Sequence, residues 1–294
     1  VIYDIRLAIG YAFGQASGGG RHLLRLLPHD VPGVQSVAAA RLAIWPEPAE
    51  RRDFTDFFGN LVTEVVLPPG HDRIRIEARA RVERQTDELR PDLSVPPGAL
   101  ADEVASVPGL EPWAPHHYAV ASPRIVEDGT IAVFARDRTA GAPTVAGAVA
   151  ALGQALHREM RFGAGATSVE TAPAEAFARR KGVCQDFAQI MIAGLRGIGV
   201  PAAYVSGYLR TLPPPGQPRL EGADAMHAWV AAWCGRLQGW VEYDPTNACP
   251  AGEDHVAVAR GRDYGDVAPV AGILRLSGSQ QSTQSVDVVP VDGP

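Results

Sequence analysis

Lysine is almost missing from this chain: Lys181 stands alone against 26 arginines. An enzyme moving acyl groups onto amines would therefore offer few amines of its own. Cysteine is nearly as scarce. Cys184, Cys234 and Cys249 are an odd number and a poor disulfide framework. No C-x-x-C pair occurs and the nearest two lie 15 positions apart, so zinc is not expected and no cofactor is called for. No apolar run approaches the ~20 residues that span a bilayer. The opening VIYDIRLAIGYAF alternates like a strand and lacks a positive n-region, so it does not read as a signal peptide. The default expectation is a cytoplasmic protein with no membrane partner. Positive charge is in deficit, with a formal net charge of -6, which disfavours a nucleic-acid partner. The trio Arg179, Arg180 and Lys181 reads as a solvated helix end. No heptad marks an oligomer.

What is present is an ordinary globular balance, 46% hydrophobic and 20% charged over 294 residues, enough for two domains or one large one. Residues 1–130 read as β. Tyr3, Ile5, Leu7 and Ile9 alternate at period two, and Ile74, Ile76, Ala78, Ala80 and Val82 oppose Arg75, Glu77, Arg79 and Arg81. HLLRLLP (22–28) and VQSVAAARLAIWP (34–46) end at proline, and Gly59–Asn60 marks a turn. The pattern predicts a β-sandwich-like domain, with a Pro-rich connection over 91–125. His116 and His117, beside Trp113 in that connection, are assigned a surface or supporting role.

The chain then changes character. Thr144 caps a helix over 145–160, Thr171 and Pro173 start a shorter one ending at Gly182, and 184–196 forms a third with Phe187, Ile190, Met191 and Leu195 inward. Strand-like AAYVSGYL (202–209), AMHAWVAAWC (225–234) and GWVEYDP (239–245) follow, with PPPGQP (213–218) as a surface excursion. Helices first and antiparallel strands after give an α+β unit, placed at 131–276. The tail, 277–294, returns to β through SVDVVPV and is expected to pair back onto a sheet.

One cysteine organises the second half. Cys184 opens a predicted helix, His227 follows 43 positions later on a strand, and Asp244 comes 17 beyond that at a strand end. A helix N-terminus favours a thiolate, an imidazolium stabilises it further, and a carboxylate fixes the imidazole's tautomer. Together they point to acyl transfer on an amide bond. Cys234, ending an apolar strand with no base near it, reads as a small hydrophobe, and Cys249 as a loop thiol. Gln185 is a candidate oxyanion donor, with the backbone N–H of Cys184 the firmer one. Trp229 and Trp240, on the same two strands as the histidine and aspartate, are expected to wall or support the site.

These segments also resemble a known family. RRKGVCQDFAQIMIAGLRGIGVPAAYVSGYL, HAWV (227–230), GWVEYDPTN (239–247) and GRDYGDVAPVAG (261–272) are similar to segments of bacterial transglutaminase-like proteins, in the papain-like cysteine protease superfamily. LRLLPHDVPGVQSV (24–37) and DFFGN (56–60) resemble the β domain preceding the core in this bacterial subgroup. The resemblance implies a papain-like transglutaminase core with Cys184 as nucleophile, His227 as base and Asp244 as its orienter. Gln189, Ala203 and Arg6 stand where the family often has histidine, arginine and histidine. These departures bear on substrate range rather than on the three residues. The expected substrate is a peptide, protein or small amide. Hydrolysis is preferred over transfer to a primary amine, and a catalytically silent peptide-binding scaffold is the alternative from another class.

Overall fold

A computed structural model describes residues 1–85, 91–212, 220–222, 224–275 and 279–291. The expected excursion at 213–218 lies outside the described residues. Alternation drives the first half into strands: β1 (Ile2–Phe13), β2 (Gly20–Leu24), β3 (Gln35–Trp45), β4 (Glu50–Thr55), β5 (Leu61–Leu67) and β6 (Arg73–Arg84). β1 and β6 pair antiparallel, with Leu7 opposite Ala78 and Ile9 opposite Ile76. Every second residue of β6 from Ile74 to Val82 is buried, while Arg73, Arg75, Arg79 and Arg81 face water. Gly59, at φ +87, makes the turn between β4 and β5 that its sequence suggests.

The connection is less irregular than its prolines suggest. It holds α1 (Leu100–Ala105) and a short 3-10 turn at Pro115–Tyr118. In that turn His116 Nε2 and His117 Nε2 approach the carbonyls of Val107 and Leu110 at 3.2 and 3.0 Å. Next comes α2 (Gly129–Thr139), which the sequence reading missed. Asp128 caps it, accepting from Ile131 N at 2.8 Å. α3 (Val145–Glu159) has the expected Thr144 cap, with Thr144 Oγ1 accepting from Gly147 N at 3.1 Å.

β7 (Arg161–Phe162), α4 (Pro173–Arg179) and β8 (Lys181–Gly182) follow. The second helix thus stops three residues short of the expected Gly182. Arg180 turns left-handed at φ 51, and β8 pairs in parallel with β7. The solvated-end reading of the basic trio is corrected at Arg180, whose guanidinium lies 4.0 Å over the Phe177 ring.

α5 (Cys184–Gly197) is the central helix. Phe187, Met191 and Leu195 are buried in one core with Ala228, Val230 and Ala232 of the sheet. Each such large side chain contributes ~1.5–3 kcal/mol by burial. The sheet comprises β9 (Ala202–Leu209), β10 (Ala225–Trp233), β11 (Trp240–Asp244), β12 (Cys249–Pro250) and β13 (His255–Gly261), in the antiparallel order β12-β11-β10-β9-β13. The short α6 (Tyr264–Val267) closes this part.

The last two strands cross back. β14 (Val270–Leu274) pairs with β2, and β15 (Gln280–Pro290) pairs with β1 over eleven residues. The N-terminal sandwich therefore has sheets ordered β15-β1-β6-β3 and β14-β2-β5-β4. β14, which lies before the boundary read at 276, thus pairs with the N-terminal strands. The fold is α+β, a β domain followed by helices and an antiparallel sheet. Polar staples join the halves. Gln35 donates to Ala257 O at 2.8 Å and accepts from Ala257 N at 2.9 Å, and Asn60 does the same for Arg260 at 2.9 and 2.7 Å. They sit beside the register shift between Ala257 and Ala259, where the ladder of β13 is interrupted.

Candidate active site

Gly182 and Val183 lead into the first turn of α5. The carboxylate of Asp186 accepts from Val183 N at 2.7 Å and from Thr167 Oγ1 at 2.5 Å, which fixes the start of the helix. Val183 at the N-cap position has no side-chain acceptor, so the first N–H groups of the helix are left for other partners. Cys184 is the first helical residue and is half-buried.

β10 and β11 are antiparallel neighbours with Val230 opposite Tyr243, so His227, Trp229, Glu242 and Asp244 share one face. His227 Nε2 lies 2.7 Å from Asp244 Oδ2, and both residues are buried. The nitrogen left for Cys184 is Nδ1. Burial acts to lower the imidazole pKa. The hydrogen bond to Asp244, a hydrogen bond with Cys184, and the charges of both groups outweigh it and push His227 up to about 9. Burial likewise acts to raise Asp244. Hydrogen bonds from His227 and His255, the His227 charge and the Asn247 amide hold it well below the usual carboxylate range instead.

Two of those partners were missed in the sequence. His255 Nε2 lies 3.2 Å from Asp244 Oδ2, while its Nδ1 accepts from Gly252 N at 3.2 Å. That acceptance places the ring proton on Nε2, so His255 donates to the carboxylate. Asn247 Nδ2 donates to Oδ2 at 2.6 Å, and Thr246 N donates to Oδ1 at 2.8 Å. DPTN turn chemistry was the available signal for Asn247. Nothing local marks His255, whose position depends on β13 pairing with β9. Among the described residues, ligand atoms of His227, Asp244 and His255 lie within 4.8 Å of one another, close enough to hold a metal ion. Asp244 Oδ2 would have to give up three hydrogen bonds to serve it.

Trp229 is fully buried against the site. Its ring stacks on His227 at 6.3 Å and meets His255 edge-on at 5.2 Å. Its Nε1 donates to Glu242 Oε2 at 2.7 Å, and Glu242 in turn pairs with Arg260. Trp240 sits opposite Trp233, packs on Trp113 and Tyr118 at 5.5 and 5.1 Å, and lies against the cluster that holds Trp229. Gln185 points elsewhere, its Nε2 lying 3.4 Å from Val169 O. Cys234 is buried, and that burial, followed by the charge of Asp92, pushes its thiol up to about 12.

Known proteins carry the same two parts. Residues 3–83 match the bacterial transglutaminase-like N-terminal region, and residues 132–245 match the transglutaminase-like superfamily. An uncharacterized protein of Mycobacterium tuberculosis (strain H37Rv) is 34% identical over 274 residues, covering 88% of this chain and 83% of that one. One from Mycobacterium leprae is 30% identical over 284 residues, covering 95% and 94%. A solved structure from Cytophaga hutchinsonii, provisionally assigned as a cysteine protease, superposes with a TM-score of 0.78 at 21% identity, covering 100% of this chain and 91% of that one. The expected cytoplasmic location is corrected. Matched structures include the periplasmic domain of TgpA from Pseudomonas aeruginosa, at 17% identity over 82% of this chain and 88% of that one, TM-score 0.35. So loose a likeness assigns no compartment. Three free thiols and the lack of a membrane-spanning helix among the described residues do not select one either. Membership of the superfamily implies an activity of the cysteine hydrolase or acyltransferase type. With both family regions in place and full-length relatives at 30% identity or more, the chain belongs to the bacterial transglutaminase-like family.

Proposed function

We propose that Cys184, His227 and Asp244 are the catalytic residues of a cysteine-dependent acyl transfer on an amide or peptide bond, running mainly to water. The observation that carries this reading is the position of His227, bonded through Nε2 to a buried carboxylate at 2.7 Å and coupled to Cys184 on its other side. An imidazolium kept protonated up to about 9 stabilises a thiolate beside it. The thiolate attacks the amide carbon, and the backbone N–H of Cys184 donates to the developing oxyanion. His227 Nδ1–H then gives its proton to the leaving nitrogen, and a thioester on Cys184 remains. Water attacks the thioester with His227 taking its proton, and the acid and the thiolate are released. Asp244 keeps Nε2 protonated throughout. His255 and Asn247 hold the carboxylate, so they position the acceptor rather than touch substrate.

The substrate class is a peptide, protein or small amide. Peptide and amide mixtures incubated with and without a primary amine test the reading by mass spectrometry. Cleavage, or a gain of about 1 Da at a side-chain amide, supports hydrolysis by attack of Cys184. An amine adduct replaces water by an amine acceptor. No product, together with equal slow labelling of Cys184 and Cys234 by a thiol-reactive amide mimic, would overturn catalysis in favour of a peptide-binding scaffold. Asp244→Asn is expected to lower turnover by up to ~10⁴-fold through loss of tautomer control.

A further inference from the structure

The N-terminal sandwich carries a cavity of about 290 Å³ between its two sheets. Leu24, Val65 and Leu67 of one sheet and Ile44, Ile74 and Ile76 of the other wall it, and all six are buried. Close-packed interiors leave few such spaces, and this one lies at the small end of the ~300–1,000 Å³ range of ligand pockets.

One cross-strand row carries its polar side. Gly272 on β14 lies opposite His22 on β2, which lies opposite Val65 on β5. A Cβ on Gly272 would come within 2.2 Å of Arg21 O and 2.8 Å of His22 Nδ1, so β14 lies tight against β2 beside the His22 ring. The lining extends to the edge strands of both sheets, with Gly272 and Leu274 of β14, Tyr11 of β1 and Gln280 of β15. One polar group stands out on the wall. His22 Nε2 is enclosed yet meets no hydrogen-bond partner among the described residues. Burial also lowers the pKa of this imidazole, so the ring is neutral near pH 7. Leaving such a group unpaired is costly.

We propose that the cavity is a binding site for one short linear apolar chain with an uncharged hydrogen-bonding head, the chain lying between the sheets and the head on His22 Nε2. The apolar walls select the chain, the small volume excludes a peptide, and a neutral imidazole suits a hydroxyl or amide head better than an ion. This site is separate from Cys184 and does not depend on the catalytic reading.

Methyl-resolved NMR of the full chain titrated with 1-octanol tests it. Saturable shifts are expected at Leu24, Val65, Leu67 and Ile76 and at the His22 ring. Val65→Phe, and independently Ile74→Phe, should fill the space and abolish the titration. His22→Leu should weaken 1-octanol by about 2–10-fold, the worth of one hydrogen bond, and leave toluene binding unchanged. Absence of shifts up to the solubility of 1-octanol would overturn the site. So would shifts that spread over the surface without saturating, or an undiminished titration in a folded filling variant. Equal 1-octanol affinity in His22→Leu would remove the head-group assignment.

Discussion

Gly153→Ala sets two ordinary effects against each other. In a helix interior alanine is favoured over glycine by about 1 kcal/mol, so on propensity alone the change should stabilise α3. Gly153, however, faces β11. A Cβ there would stand 2.1 Å from Tyr243 Cε1 and 2.5 Å from Cδ1. Carbon atoms pack at about 3.5–4.0 Å, so helix and ring must separate by more than an ångström. Overpacking of this kind costs ~1–3 kcal/mol, and here it falls on a rigid buried ring. The net expectation is a destabilisation of about 1–2 kcal/mol, or a Tm lower by ~2–8 °C in a chain of this size. Tyr243 immediately precedes Asp244, and a shift of ~1 Å in a positioned group can cost ~10²-fold in rate. Thermal unfolding by circular dichroism and kcat per folded molecule, on Gly153→Ala and on Gly153→Ala with Tyr243→Leu, separate the terms. The double variant should recover stability, with a coupling of about 1 kcal/mol or more. A Gly153→Ala protein that is more stable by about 1 kcal/mol would refute the packing of α3 on β11 described above.

Because His227 titrates near 9, above its ordinary value of about 6.5, kcat/KM should fall as pH rises through about 9. Asp244→Asn should move that limb at least one unit lower in a pH-rate profile. The same raised pKa stabilises the fold fully below about 6.5 and is lost as pH climbs through 9, so the urea midpoint should drop across that window. Trp229→Phe keeps the ring but leaves Glu242 without its indole donor. It should lower stability by about 1–3 kcal/mol and cut turnover further than that loss explains, as read from rates per folded molecule. A thiol-reactive probe at neutral pH should label Cys184 and spare Cys234, whose thiol is buried and protonated. Arg196 reaches Tyr118 O, Ala202 O and Arg262 O at 2.9, 2.8 and 2.6 Å. Arg196→Met should therefore cost about 2 kcal/mol or more in chemical denaturation.

Local pattern carried much of this molecule. Strict alternation marks β1 and β6, Thr144 caps α3, and the Cys184, His227 and Asp244 segments each have a distinct local character. What escaped either had a weak local signal or depended on contacts that a residue pattern does not show. α2 has Ile131, Phe134 and Ala135 buried without a continuous apolar stripe, so only its Asp128 cap announces it. His255 looks like any strand-end histidine until β13 settles beside β9. Trp229 lies two positions from His227 and stacks on it, while strand register places Trp240, four positions before Asp244, opposite Trp233. Arg180 reads as a charged helix end because stacking on Phe177 is invisible in a charge pattern.

The pairing of β1 with β15 joins residues about 280 positions apart, which bears on how the protein is made. β1 leaves the ribosome well before β15, its outer partner. Until β15 follows, a twelve-residue strand with one apolar face can pair with β6 on one side only and leaves the other edge open. Such an edge invites association with other nascent chains, and closing so long a loop is slow. Folding yield should therefore respond more sharply to changes in the final strand, Gln280–Pro290, than its exposed and polar first half would suggest.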